Sequence, residues 1–312
     1  MPLSPSSSTH PSGEQYTISH GRQEATVTEV GASLREYTVD GCHVIDGYQS
    51  DERSSAGRGQ VLAPWPNRLD NGHYEFDGQM GRAALDEPQL SNAIHGLVRW
   101  LPWRLLKRSA DAVHLGCVLH PQPGYPWRLE LDMEYQLGDG GLTVTAGATN
   151  PGDSVLPFGI GFHPYLTAGP ETVDGAILQV PAHHTLDLDD RGLPTGALTP
   201  VEGTERDFTT ARFVGPAVLD TAYTTLDRDA AGIARAGLDA PGGATGAELW
   251  ADRGFPYLMV YTGDTLPEVP RRRRAIAIEP MTCPPNALRT GKDVIGLQPG
   301  QEWSARWGIA PR

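Results

Sequence analysis

Two histidines and one glutamate stand in local sequence suited to proton transfer. His95 lies in NAIHG, residues 92–96, where a glycine directly after the imidazole lets backbone or a ligand approach closely. His163 lies in GIGFHPY, residues 159–165, flanked by glycine and by a proline that offers no backbone N–H. Either can equally be a structural histidine with its partners satisfied in a loop. Glu279 ends the apolar run 275–278 and precedes Pro280. A carboxylate at the last position of a buried strand, with proline stopping the ladder, sits at a rim where ligands bind. Partial desolvation there raises its pKa toward a value useful for a general base. The alternative is a solvated strand-end glutamate.

Three further segments carry polar groups in constrained backbone. PWPNR, residues 64–68, stiffens the chain with two prolines and delivers Asn67 and Arg68 at a fixed place. Their amide and guanidinium donors suit multiple sugar hydroxyls, or the arginine pairs with a surface acid. Asp220, in VLDTAY, follows an apolar pair at a transition from loop to strand. The run Arg271 to Arg274 reads most simply as a solvated loop, with a phosphate or carboxylate site as its functional alternative. His183 and His184 are adjacent on an expected strand, so their side chains face opposite ways and make poor joint metal ligands. The remaining six histidines read as structural.

The elements that must hold these residues are strands. Residues 127–137 (WRLELDMEYQL) alternate apolar and polar side chains throughout, and residues 142–149 follow after the turn 138–141, which makes a hairpin. Similar patterns mark 23–30, 34–39, 112–119, 176–180, 247–251, 257–261, 275–279 and 303–309. No segment sustains an apolar helical stripe, and no repeat is visible. Residues 199–244 read as loop-rich, with strand patterns on both sides. Many short strands joined by Gly/Pro turns predict an all-β fold, a large antiparallel sandwich or barrel.

Composition narrows the class. The 37 glycines and 27 prolines among 312 residues argue against a mainly helical chain. A net charge of −13 disfavours nucleic acid and anionic membrane surfaces as partners. Cys42, Cys117 and Cys283 are odd in number and widely spaced, so neither a disulfide framework nor a Cys-based metal site is expected. Phosphate-binding loops, a dinucleotide fingerprint and a nucleophile elbow are missing, and no cofactor is called for. The first 15 residues are Ser/Pro-rich without an apolar signal core and are expected to be a disordered lead-in. Residues 16–312 are expected to form one domain, in a soluble, reducing, cytoplasmic setting. Oligomeric state is left open.

Taken in order, these segments resemble the aldose 1-epimerase (galactose mutarotase) family. The matching pieces are Asn-Arg of PWPNR, His-Gly of NAIHG, His of GFHPYL, Asp of LDTAY and Glu of AIAIEP, spread from Asn67 to Glu279. No one motif is specific; it is their order along a β-rich chain of the expected size that carries the resemblance. The resemblance implies a large twisted antiparallel β-sandwich of the galactose mutarotase-like type. It implies Glu279 as general base and His163 as general acid, with Arg68, His95, Asp220 and Asn67 holding the hydroxyls of a monosaccharide. There are departures. His163 is followed by Pro164-Tyr165-Leu166, where many members carry aromatic-Asn-Leu. Glu279 is followed by Pro280-Met281 rather than a small polar residue and glutamine. His95-Gly96 leads into Leu97 rather than a second glycine. These differences surround the reacting atoms rather than replacing them.

The chemistry so implied is interconversion of sugar anomers. A base takes the C1 hydroxyl proton, an acid on the opposite side of the sugar protonates the ring oxygen, and the ring opens and recloses from the other face. The rivals are a hexose-phosphate 1-epimerase of the same architecture, a non-catalytic sugar-binding protein, and glycoside hydrolysis by Asp220 and Glu279. Arg274 lies five positions before Glu279, roughly 16 Å along an extended strand at about 3.3 Å per residue, a long reach for a phosphate clamp.

Overall fold

The computed structural model describes residues 10–169, 171–243 and 245–312. Two large antiparallel sheets dominate. One runs Arg104–Arg108, Ala112–Leu119, Leu129–Gly138, Gly141–Thr149, Glu302–Pro311, Gly246–Ala251, Ala234–Asp239, Ile177–Gln179 and Arg212–Phe213. The other runs Pro194–Pro200, Ala182–Leu188, Asp220–Leu226, Tyr257–Tyr261, Ile276–Met281, Gly161–Phe162 and Val61–Leu62, with Tyr165–Leu166 also paired to Ile276–Met281. A four-stranded sheet, Gln15–His20 to Cys42–His43, adds to one end.

Alternation sets what each face does. Leu129, Leu131, Met133, Tyr135 and Leu137 are buried, and the residues between them stay at least partly exposed. They join one core cluster that draws on both large sheets, where Phe162 of one packs 5.0 Å from Trp307 of the other. The fold is an all-β antiparallel sandwich, as the patterning predicts.

The Ile276–Met281 strand is the one that positions the chemistry. Ile276 and Ile278 point into the main core, whereas Ala277 and Met281 lie in two small clusters on the other face, beside Tyr165 and Met259. By the same alternation Glu279 belongs to that second face. This corrects the expectation that Glu279 ends its strand and that Pro280 stops the ladder. Pairing runs on, Met259 opposite Glu279, Leu258 opposite Pro280 and Tyr257 opposite Met281. Ile278 donates its N–H to Pro164 O and Thr282 to Ile160 O, both on the side away from the Tyr257–Tyr261 strand. The missing N–H of Pro280 falls between them, facing Phe162, just before residues 163–164 separate Gly161–Phe162 from Tyr165–Leu166. Proline thus leaves one gap in the ladder on this side, while the pairing to Tyr257–Tyr261 is kept.

Two other expectations change. The stretch 199–244, read as loop-rich, contains the strands Asp220–Leu226 and Ala234–Asp239, whose many Ala, Gly and Asp residues mask the alternation. Of the expected lead-in, residues 1–9 lie outside the described residues. Ser12 is buried with its carbonyl accepting from Val30 N–H, and the first strand begins at Gln15.

Candidate active site

Asn67 and His95 come together first. Arg68–Asp70 and Asn92–Ile94 form a two-stranded ladder, and each histidine or asparagine sits just beyond its strand with positive φ, 56° at Asn67 and 64° at His95. The N–H of Asn67 donates to His95 Nδ1 at 3.2 Å, and the N–H of His95 donates to Asn67 O at 2.9 Å. Because Nδ1 accepts, the neutral ring carries its proton on Nε2. Burial, with the Arg99 charge behind it, holds His95 well below the ordinary histidine range. Asn67 Oδ1 in turn accepts the Arg68 N–H at 2.8 Å.

Arg68 leaves this corner with its guanidinium clamped by Glu87, Nε to Oε2 at 2.9 Å and Nη2 to Oε1 at 3.1 Å. Its Nη1 lies 3.7 Å from Oδ2 of Asp220, the first residue of its strand, as the loop-to-strand reading expects. Gly192, with φ of +71°, passes so close that a Cβ there would stand 2.4 Å from Arg68 Nη1. Arg68, Asp220, Leu186, Asp189 and Arg206 are among the residues that line a cavity of about 480 Å³.

His163 and Glu279 meet directly. Nε2 and Oε1 are 3.3 Å apart, and the side chains are 6% and 3% exposed. Neither lines the cavity; Glu279 lies close enough to its Arg68 and Asp220 wall to feel both charges. Burial, reinforced by the Asp220 carboxylate and opposed by Arg68, pushes the Glu279 carboxyl well above the usual range. Burial and then the Arg58 charge lower His163 to about 3. Both shifts disfavour charge on the pair. The two groups are side by side rather than on opposite sides of a space for sugar, which corrects the sequence-based picture. Asp220 acts on Glu279, and it is not among the charges that shift His163.

The structure thus brings together His95, Asn67, Arg68, Asp220, His163 and Glu279. The Arg271–Arg274 run goes elsewhere. Arg271 meets Asp46 and Glu52, Arg272 donates to Leu266 O, and Arg273 binds Asp174 and Asp264. His183 pairs with Asp227 and His184 with Thr225. Among the described residues no set of three or more His, Cys, Asp or Glu side chains converges to hold a metal ion. Sequence reasoning passed over Arg58, Tyr165, Glu87 and Arg99. The one local signal was the GRGQ segment, an arginine between glycines, which marks close backbone approach.

A buried imidazole–carboxyl pair thus lies on the outer face of a β-sandwich, beside a cavity lined by charged side chains. The chain belongs to the aldose 1-epimerase family: residues 14–310 match the model described as aldose 1-epimerase. It is 34% identical over 293 residues to the uncharacterized protein YihR of Escherichia coli K12, covering 94% of this chain and 91% of that one. It is 27% identical over 300 residues to the aldose 1-epimerase of the same organism, covering 88% of this chain and 84% of that one. In fold it resembles the crystal structure of a GalM/aldose epimerase homologue from C. elegans, with a TM-score of 0.85 at 19% identity over 96% of this chain and 98% of that one.

Proposed function

We propose that the protein is a cofactor-independent isomerase that interconverts the α and β anomers of a free aldohexose, with Glu279 as base and His163 as acid. The observation that carries this reading is the 3.3 Å contact between His163 Nε2 and Glu279 Oε1. The two oxygens that exchange protons in anomerisation, O1 and the ring oxygen, are bonded to the same carbon. Adjacent acid and base groups suit them better than groups set far apart.

From the tautomer with carboxylate and imidazolium, Glu279 takes the O1–H proton as His163 gives its Nε2 proton to the ring oxygen. The C1–ring-oxygen bond breaks with its electrons going to that oxygen, and C1 becomes an aldehyde. The pair is then neutral, the state that burial favours. After rotation about C1–C2, His163 takes back the proton from the new hydroxyl as its oxygen attacks C1, and Glu279 returns its proton to O1. Charge on the pair appears only when sugar is closed.

Arg68 and Asp220 are the proposed hydroxyl holders. Their 3.7 Å contact is too long for a hydrogen bond, and a sugar hydroxyl can bridge it by accepting from Arg68 and donating to Asp220. His95, with Nε2–H available, and Asn67 behind it complete the set. The engagement of Arg271 and Arg273 by carboxylates removes them from a phosphate clamp, which favours a neutral sugar over a hexose phosphate. Free Cys42, Cys117 and Cys283 are consistent with a cytoplasmic setting. Polarimetry on freshly dissolved α-glucose, α-galactose and their 6-phosphates tests this reading. Acceleration of a neutral hexose is expected; sugar binding by calorimetry with no acceleration for any sugar overturns it.

A further inference from the structure

Residues 54–60 wrap His163 and have no part in the proton transfers described above. Gly57, with φ of +72°, lies so close to the imidazole that a Cβ there would stand 2.5 Å from His163 Cδ2. Gly59 donates its N–H to His163 O at 2.9 Å. Between them Arg58 is 1% exposed, and its guanidinium carbon lies 4.6 Å over the ring of Tyr165. Tyr165 stacks on His163 at 4.9 Å and 19°, and its hydroxyl donates to Ala56 O at 3.1 Å. Guanidinium, phenol and imidazole form one run of planar groups ending at Glu279.

The Arg58 charge is only partly compensated. Nη1 donates to Ser55 Oγ at 3.0 Å, and Nη2 lies 3.3 Å from Asp46 Oδ2, a carboxylate shared with Arg271. Nε makes no hydrogen bond among the described residues. Removing a cation from water without full pairing is costly, and such a residue at the back of a site calls for a reason beyond packing.

We infer that Arg58, acting through the Tyr165 ring, is a positioning residue that holds the His163 imidazole against Glu279 and by its charge sharpens it as a proton donor. This rests on the reading of His163 as the acid. The ring oxygen of a sugar is a weak base, so a stronger acid transfers its proton more readily. The groups facing His163 are Glu279, His95, Tyr165 and the guanidinium groups of Arg58 and Arg99. Of the two cations Arg99 has a carboxylate of its own, Asp86 at 2.6 Å, whereas Arg58 shares Asp46. Arg58 is also the larger influence on His163.

The test is a pH titration of the His163 ring by NMR in the full chain, alongside turnover. In the wild type the ring is expected to stay neutral well below the ordinary value of about 6.5. In Arg58→Met, which keeps an unbranched stem without charge, the titration should move up by at least about one pH unit, a tenfold change in proton affinity. Turnover at neutral pH should fall about tenfold because the ring loses its seat against Glu279, the gain in imidazolium offsetting its weaker acidity, while KM stays within about threefold. Arg58→Lys, which retains the charge, should titrate near the wild type. A wild-type midpoint near 6.5, an unmoved midpoint in Arg58→Met, or an equal shift in Arg58→Lys overturns the inference. Should Arg58→Met fail to fold, Arg58→Gln, which also removes the charge, takes its place with the same expected rise. Because the titration needs no sugar, loss of the proposed activity reading and loss of this one are separate results.

Discussion

Asn67 and His95 hold each other in the left-handed backbone region by two reciprocal hydrogen bonds, one from each main-chain N–H. The exchange fixes more than position, because an Nδ1 that accepts from an amide cannot also carry a proton. His95 is therefore expected to remain a neutral Nε2–H donor across the working pH range, which ¹⁵N shifts of the imidazole would report. Asn67→Ala places a methyl-bearing residue at φ of 56° and removes the acceptor of the Arg68 N–H. It should lower stability by about 1–2 kcal/mol in thermal melts and raise KM more than it lowers kcat. Asn67→Gly, free of the backbone strain, should do less on both counts.

Glu279→Gln keeps the size and polarity of the side chain and removes the base. Turnover by polarimetry should fall by about 10²–10⁴-fold, with sugar affinity within several-fold. His163→Asn should likewise lower kcat more than affinity. A pure affinity loss in either variant moves that residue from proton transfer to binding.

The pH profile follows from a pair that must hold one proton. His163 is lowered to about 3, so a second proton arrives only in strong acid, and kcat should show no fall as pH drops through the ordinary histidine range. Glu279 is raised, so the single proton is lost on the alkaline side, above the ordinary carboxyl range, and kcat should decline there. The Asp220 charge contributes to that rise. Asp220→Asn should therefore move the alkaline limb to lower pH, in addition to raising KM. A limb that moves up instead contradicts the electrostatic assignment.

Gly192→Ala tests the seat of Arg68. The new methyl would stand 2.4 Å from Nη1 at a backbone φ of +71°, so either the hairpin or the guanidinium must shift. A KM increase of about tenfold with kcat within a few-fold is expected, together with a lower melting temperature.

Much of this was legible in the sequence for a physical reason. Residues 129–138 alternate cleanly because one face is buried and the other is not, and the period survives in the residue types. The strand from Asp220 was visible only at its first residue, since Ala222 and the threonines around it alternate weakly. His163, Glu279, Arg68, His95 and Asp220 stood out through the glycines, prolines and apolar runs that constrain them. Glu279 was misread as a rim residue because proline ordinarily ends a ladder, and nothing local reveals that pairing to Tyr257–Tyr261 runs on past it. Arg58 and Tyr165 were hidden for a similar reason. Arg58 comes from a distant part of the chain to lie over Tyr165, and Tyr165, two positions from His163, reveals its stacking only once that segment is bent.

The donor absent at Pro280 also bears on how the strand finds its partners. A regular strand laid along that edge would face a gap in its ladder, so the bent segment around His163 is the neighbour that fits. A slip of one residue would turn Glu279 into the apolar interior and bring Ile278 out beside Tyr165. The pyrrolidine ring that looks like a flaw in the sheet therefore sits where the native register can accommodate it, and the two buried groups reach their meeting point by the same pairing that builds the sandwich.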